Sequence, residues 1–265
     1  MTGRSAWAPL AAAVVGALDM PGLPQALAHF LQHQVPYSYT VIFGYRGTAR
    51  PINLFDDFPK AKRDVFVTDY QAGPYLLDPF YLAAARSVTP GLYRLRDLAP
   101  DRFYQGEYYR SYYVRTGLAE EIAYFVDLPG PSTLVLSLMR TERTFSQREF
   151  QALQVVFPFV EAVVRRHWTS LGQQLGKAAG VPGRHRRSAD PSEDLGSFGA
   201  GILTPREREV AAYTLKGHSA ESAGLLLGIS PGTVRIHRRN IYAKLQINSQ
   251  GELFSRFLET LRDLQ

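Results

Sequence analysis

The spacing of apolar positions changes several times along this chain. Over residues 5–18 and 22–34 apolar side chains recur every three or four positions, with Trp7, Leu10, Val14 and Leu18 in the first run, which predicts two amphipathic helices. Residues 37–45, YSYTVIFGY, are rich in aromatic and β-branched side chains and predict a strand, with residues 51–55 pairing back across the Arg46-Gly47 turn. A mostly helical stretch over 60–86, a short strand at 92–95 and a helix over 104–114 come next. Residues 121–128 and 133–139 predict two longer strands around the turn Pro129-Gly130-Pro131-Ser132. Ser146 caps a last long helix in which Phe150, Leu153, Phe157, Val160 and Val164 keep core spacing and Pro158 is placed to kink it. Helices before, between and after antiparallel strands predict an α+β chain whose residues 1–168 form an α/β/α sandwich around an antiparallel sheet.

The pattern then stops. Residues 169–201 carry Gly172, Gly176, Gly180, Pro182 and Gly183 and the cluster Arg184-His185-Arg186-Arg187, and are expected to be a flexible linker. Helical spacing resumes in residues 202–265, an expected all-α domain of four helices.

This last segment has the most specific chemistry. Thr204 is an N-cap, Pro205 follows at a position where its missing donor costs nothing, and Glu207 completes a capping box. Val210, Tyr213 and Thr214 are expected to point inward, and Lys216-Gly217 closes the helix. Ser219 caps a second helix with Leu226 and Leu227 inward, Gly228 turns the chain, and Ser230-Pro231 repeats the cap-plus-proline start. The third helix, Pro231 to Leu245, holds Arg235, His237, Arg238, Arg239 and Lys244 and no acidic residue. Val234, Ile241 and Leu245 anchor it, which leaves Thr233, Arg235, Ile236, Arg239 and Asn240 on the outer side. A basic helix after a compact helical pair is the layout of a helix-turn-helix, whose second helix enters the major groove.

LTPREREV, Gly217-His218-Ser219, Gly228-Ile229-Ser230 and TVRIHRRNIYAKL at 233–245 resemble the LuxR/FixJ-type DNA-binding domain. The resemblance implies that Arg235, Ile236 and Arg239 read bases and that Thr233, Asn240 and Lys244 face phosphates. It also implies a fourth helix, about Ser249 to Leu261, that commonly makes the dimer contact; Leu253, Phe254, Phe257, Leu258 and Leu261 are expected to pair in part with their copies. The chain departs from the family at Ala223-Gly224, where Ile-Ala is usual. The smaller pair is expected to loosen the helix contact, and the glycine to cost about 1 kcal/mol of helix propensity.

A formal charge of +6 favours polyanions. The absence of cysteine excludes disulfides, thiolate metal sites and cysteine nucleophiles. His29 and His33 stand four apart without a third ligand, so no metal and no cofactor are expected. Arg4, the apolar run Ala6 to Leu18 and Ala26-Leu27-Ala28 have the parts of a signal peptide, but the helical spacing and the stop at Asp19 and Pro21 identify a packed helix, too short to span a bilayer. A cytoplasmic protein without membrane association is expected.

The layout of residues 1–168 resembles the GAF/PAS-like and autoinducer-binding domains that precede this type of DNA-binding domain. In FVTDYQAGPYLLDPFY, Phe66 and Tyr70 stand four apart and Asp78-Pro79 opens a helix, as an aromatic pair and Asp-Pro do in acyl-homoserine-lactone receptors. There the carboxylate takes the ligand's amide proton; Phe66 stands where that family favours a tryptophan that donates to the lactone carbonyl, and phenylalanine cannot donate. The ligand-facing set implied here is Tyr37, Tyr39, Phe66, Tyr70, Asp78 and Phe80, although Asp before Pro is equally a plain helix cap. Tyr104, Tyr108, Tyr109, Tyr112 and Tyr113 form a second aromatic stripe, suited to a ligand, to core packing or to a dimer surface.

Together these point to a transcription regulator that binds double-stranded DNA as a homodimer, with a small-molecule effector for its N-terminal domain and RNA polymerase as a further candidate partner. A protein-interaction or dimerisation role for that domain is the alternative. An enzyme with an appended DNA-binding domain is the reading from another class, but residues 1–168 contain no nucleophile–base constellation and no catalytic residue is assigned.

Overall fold

The computed structural model describes residues 7–47, 49–171, 195 and 198–263. The chain packs as two compact units: Met1–Pro59, Ser87–Leu95 and Leu118–Arg187 in one, and Lys60–Arg86, Arg96–Gly117 and Ser188–Gln265 in the other. The segments 60–86 and 96–117 thus group with the C-terminal helices. Of the expected linker, residues 172–194 and 196–197, with the Arg184–Arg187 cluster, lie outside the described residues.

The first unit is built on a five-stranded antiparallel sheet of order β2-β1-β5-β4-β3, from β1 Tyr39–Arg46, β2 Ile52–Asp56, β3 Gly91–Arg94, β4 Glu120–Leu128 and β5 Ser132–Arg140. Alternate residues of the strands, among them Ile42, Leu92, Tyr124, Val126, Leu136 and Leu138, form one core with helices α1 Trp7–Gly16, α2 Leu23–Gln34, α7 Gln147–Val155 and α8 Phe157–His167. The Tyr124 hydroxyl donates to the Leu153 carbonyl at 2.7 Å, so the ring adds apolar area without an orphan polar atom. Phe125, Val135 and Met139 on the opposite face are also buried. That is why β4 and β5 read as nearly unbroken apolar runs.

Local chemistry moves several expected boundaries. The last helix breaks in two at Val156, because Pro158 near the start of α8 cannot donate to an earlier carbonyl and crowds the preceding turn. Ser146 and Glu149 form a full capping box on α7. Trp7 is largely exposed, and Ala11 and Val14 hold α1 to the core.

In the second unit, α3 Lys60–Arg63 runs into a wide π-type turn, Asp64–Asp69, followed by a 3-10 turn, Pro74–Leu77, and α4 Pro79–Ala85. The short α5, Leu95–Leu98, starts on the last residue of the first unit's middle segment and continues into the second. The single helix expected over 104–114 is instead a 3-10 turn, Phe103–Gln105, a π-type turn, Tyr109–Tyr113, and the short α6 Val114–Thr116. Large rings four apart stack there, with centroids 5.4 Å apart for Tyr108–Tyr112 and 5.2 Å for Tyr109–Tyr113, and Phe103 meets Tyr109 edge-on.

Four helices complete this unit: α9 Pro205–Lys216, α10 Ala220–Leu227, α11 Pro231–Leu245 and α12 Gln250–Asp263. Val210, Ala223, Val234, Ile241, Leu253 and Phe257 make their core. Of the five residues expected to pair in part with their copies, Leu253, Phe254 and Phe257 are buried within the chain, where Phe257 packs edge-on against Phe198 at 5.7 Å, and Leu258 and Leu261 are half-buried. Among the described residues, no helix is long and apolar enough to cross a membrane, and no group of three or more acidic or histidine side chains is placed to hold a metal.

Candidate nucleic-acid interface and sensor site

Caps set the angles of the C-terminal helices. Thr204 Oγ1 accepts from the Glu207 amide at 3.3 Å, and Glu207 returns a bond to the Thr204 amide at 2.8 Å. Gly217 and Gly228 close α9 and α10 in the left-handed region, at φ 93° and 65°, where glycine carries no side-chain penalty. Ser219 and Ser230 start α10 and α11 by accepting from Ser222 and Thr233 amides at 2.9 and 3.0 Å.

The expected inner face of α10 is corrected. Leu226, expected inward with Leu227, is 54% exposed and Leu227 is half-buried, whereas Ala223 and Gly224 are buried. A Cβ on Gly224 would lie 2.7 Å from the Ile229 carbonyl oxygen and 3.4 Å from the Pro231 nitrogen. The Ala-Gly pair therefore permits a closer approach of helix and turn, not a looser contact. A two-leucine spacing on a short helix could not reveal which side was so crowded.

On α11, Val234 and Ile241 are fully buried and Leu245 is half-buried. Arg235, Ile236 and Arg239 are exposed, and Thr233 and Asn240 are partly so. Thr233 Oγ1 shares a 2.8 Å hydrogen bond with Ser230 Oγ. Arg235 pairs with Glu221 of α10, and Lys244 Nζ lies 2.6 Å from Glu207 Oε2. Arg238 turns inward, donating from Nε to Thr214 Oγ1 at 3.0 Å and from Nη2 to the His218 carbonyl at 2.8 Å. It therefore orients α11 on α9, a role that a count of basic residues cannot separate from DNA contact.

The six residues of the expected sensor site fall in both units. Tyr37 is in the helix-covered core of the first, its hydroxyl donating to the Ala28 carbonyl at 2.6 Å. Burial drives its phenol well above the usual range. Tyr39 packs against Phe58 at 5.6 Å. Phe66, Tyr70, Asp78 and Phe80 belong to the second unit. Asp78 caps α4 through the Phe80 amide at 2.9 Å and also accepts the Tyr70 hydroxyl at 2.6 Å. Burial pushes its carboxyl up to about 6, against the lowering effect of those hydrogen bonds. Tyr75 meets Tyr70 at 6.2 Å and Tyr81 at 5.0 Å, both edge-on, so the carboxylate sits among rings.

A capped helical pair that presents a basic helix defines a DNA-binding transcription regulator of the helix-turn-helix class. The family model "Bacterial regulatory proteins, luxR family" matches residues 201–257. The chain is 33% identical over 186 residues to a putative HTH-type transcriptional regulator in the exeN 3'region of Aeromonas salmonicida, covering 69% of this chain and 94% of that protein. It belongs to the luxR family of bacterial regulatory proteins. It is also 28% identical over 149 residues to the monoamine regulon transcriptional regulator of Klebsiella aerogenes, covering 56% of this chain and 54% of that protein. Among solved structures it resembles the VqsR LBD domain from Pseudomonas aeruginosa, with a TM-score of 0.55 and 28% identity over 62% of this chain and 96% of that one.

Proposed function

We propose that a small molecule held near Asp78 controls promoter binding by a homodimer of this protein, with Arg235, Ile236 and Arg239 reading bases and Thr233, Asn240 and Lys244 meeting phosphates. The observation that carries the sensing half is the Tyr70–Asp78 hydrogen bond, a charged acceptor set among aromatic rings. Such a carboxylate, with a lone pair beyond those taken by Tyr70 and the Phe80 and Tyr81 amides, fixes a ligand that donates a hydrogen bond or carries positive charge. Likeness to the VqsR LBD domain supports the same assignment.

The test begins with a thermal-shift screen of amines, amides and lactones on the full chain. Asp78→Asn keeps most of the cap, since Asn caps about as well as Asp. It should weaken an identified effector about tenfold or more by calorimetry, as a charge-assisted contact becomes a neutral one. Unchanged affinity with normal stability would make Asp78 a cap only and move the site towards Tyr104–Tyr113. Sedimentation on a full operator should show two chains; one chain at saturation contradicts the homodimer.

A further inference from the structure

The second unit contains a cleft of about 230 Å³ into which Arg102, Arg110, His218 and Arg238 project. Gln105 and Gln250 complete its polar wall, and among the described residues no acidic side chain lines it. We propose that this cleft is a binding site for a phosphate group.

The backbone builds the cleft. The Arg102 amide donates to the Gly217 carbonyl at 3.0 Å, which fixes the turn bearing Arg102 beside the end of α9. Only glycine permits this approach: a Cβ on Gly217 would lie 2.9 Å from the Phe103 Cα, and Gly217 has φ 93°. Gln250 is held by its own bond to the Thr214 carbonyl at 3.0 Å. The cleft is thus set by main-chain contacts, with the cations mounted around it.

The charge is poorly compensated. Glu107 lies 3.5 Å from Arg110 and also accepts the Ser111 hydroxyl at 3.3 Å, and Asp101 spends its Oδ1 on the Ser219 amide at 3.0 Å. Arg102 has no ion pair among the described residues. Arg238 uses Nε and Nη2 within the protein, which leaves Nη1 for a ligand. His218 gives one ring nitrogen to Ser222 at 2.9 Å and keeps the other. Burial first, and then Lys216, Arg86 and Arg238, depress His218 to about 4 against the opposing charge of Asp101. Burial and then the nearby Arg102 and Arg235 also depress Arg238, against opposing contributions from Tyr242 and Glu221. An anion in the cleft relieves that repulsion.

The chemistry selects phosphate. Guanidinium groups from separate segments match its oxygens in forked geometry, and the glutamines add neutral donors. About 230 Å³ suits a phosphate or pyrophosphate group with its water, whereas drug-sized ligands occupy pockets from about 300 Å³ upward. The group can come from a small phosphorylated molecule or from the DNA backbone.

The test uses the full chain with pyrophosphate, against sodium chloride at equal ionic strength. Arg102→Gln removes an exposed cation of the cleft, and Arg148→Gln, exposed on α7, is the charge-matched control. If the source is a small molecule, saturating pyrophosphate raises Tm by about 2–4 °C, and Arg102→Gln, but not Arg148→Gln, abolishes the shift. If the source is DNA, pyrophosphate leaves Tm unchanged while Arg102→Gln, again unlike the control, weakens operator and random DNA equally and lowers the salt slope by about 1. Either outcome supports a phosphate site. No Tm shift together with unchanged DNA binding, or equal effects of the two variants, overturns it. None of these readouts depends on Asp78, so failure here is separable from failure of the effector site.

Discussion

Lys244 Nζ lies 2.6 Å from Oε2 of Glu207, and the same oxygen accepts the Thr204 amide at 2.8 Å. One carboxylate oxygen thus joins the start of α9 to the end of α11. Glu207 is buried and Lys244 half-exposed. The Lys244 bond, then the Thr204 amide, holds the Glu207 carboxyl below the usual carboxylate range. The phosphate contact proposed for Lys244 would therefore compete with, or add to, a tie between the first and third helices of this domain.

Two substitutions separate those roles. Lys244→Ala and Glu207→Gln should each cost about 1 kcal/mol in chemical denaturation. Lys244→Ala should also weaken operator and random DNA alike and lower the salt slope by about 1, whereas Glu207→Gln should leave the slope intact. Equal slopes for Lys244→Ala and the parent would make Lys244 a structural tie only. Because the folded carboxyl is depressed, its contribution is present above about pH 4.5 and disappears as pH falls through the folded value. Glu207→Gln should accordingly flatten the acid limb of the stability curve.

Gly224→Ala sets helix propensity against packing. Propensity alone predicts a gain of about 1 kcal/mol. The 2.7 Å approach of the new Cβ to the Ile229 carbonyl involves backbone, which cannot swing away as a side chain would. The net effect should be a loss of about 1–3 kcal/mol in urea unfolding. A stabilised variant would show that the turn after α10 yields readily.

The sequence was most informative where local rules coincide. Thr204 and Glu207, Ser219, Ser230 and the glycines at 217 and 228 fix helix ends through bonds within a few residues, and the observed α9–α12 follow them. The strands were equally plain, because β1, β4 and β5 carry long apolar or β-branched runs. What stayed hidden depends on neighbours distant in sequence. Leu226 and Leu227 look like core residues until Gly224 is seen against Ile229. Arg238 looks like the outward-facing basic residues beside it until Thr214 and His218 take its donors. Tyr37 looks like a ligand contact, but its hydroxyl is committed to Ala28. Periodicity gives the face of a helix, whereas the partner of a polar group comes from the fold.

On the exposed side of α11, Arg239 has no ion pair among the described residues, while Arg235 is engaged by Glu221. Arg239→Ala should cost about 1–3 kcal/mol on operator DNA and relax discrimination if its fork meets a guanine. Equal losses on operator and random DNA would reassign Arg239 to the phosphates. Glu221→Gln should strengthen random-DNA binding a few-fold, about 2–5 times at low salt, since it frees Arg235 and removes a charge that repels phosphate. Titrations at several salt concentrations measure both, and an unchanged affinity for Glu221→Gln would show that the Arg235 pair opens at no cost.

The pH dependence of stability contains two opposed contributions. His218, beside Ser222 at the start of α10, is held down to about 4, chiefly by burial, so the unfolded chain takes its proton first as pH falls. That contribution lowers stability from about pH 6.5 towards 4 and is level below. Asp78 is held up to about 6, so the folded chain takes that proton first, and stability rises as pH falls from about 6 towards 4. Both groups are partly exposed, and after allowance for solvent screening each contributes about 1–2 kcal/mol. The full chain should therefore show a shallow profile over this window, whatever other groups add. His218→Gln should remove the falling contribution and shift the slope towards greater stability at low pH, while Asp78→Asn should steepen the loss. Urea midpoints at half-unit pH steps give the slopes directly. A His218→Gln profile parallel to that of the parent between pH 4 and 6.5 would show that the imidazole titrates normally.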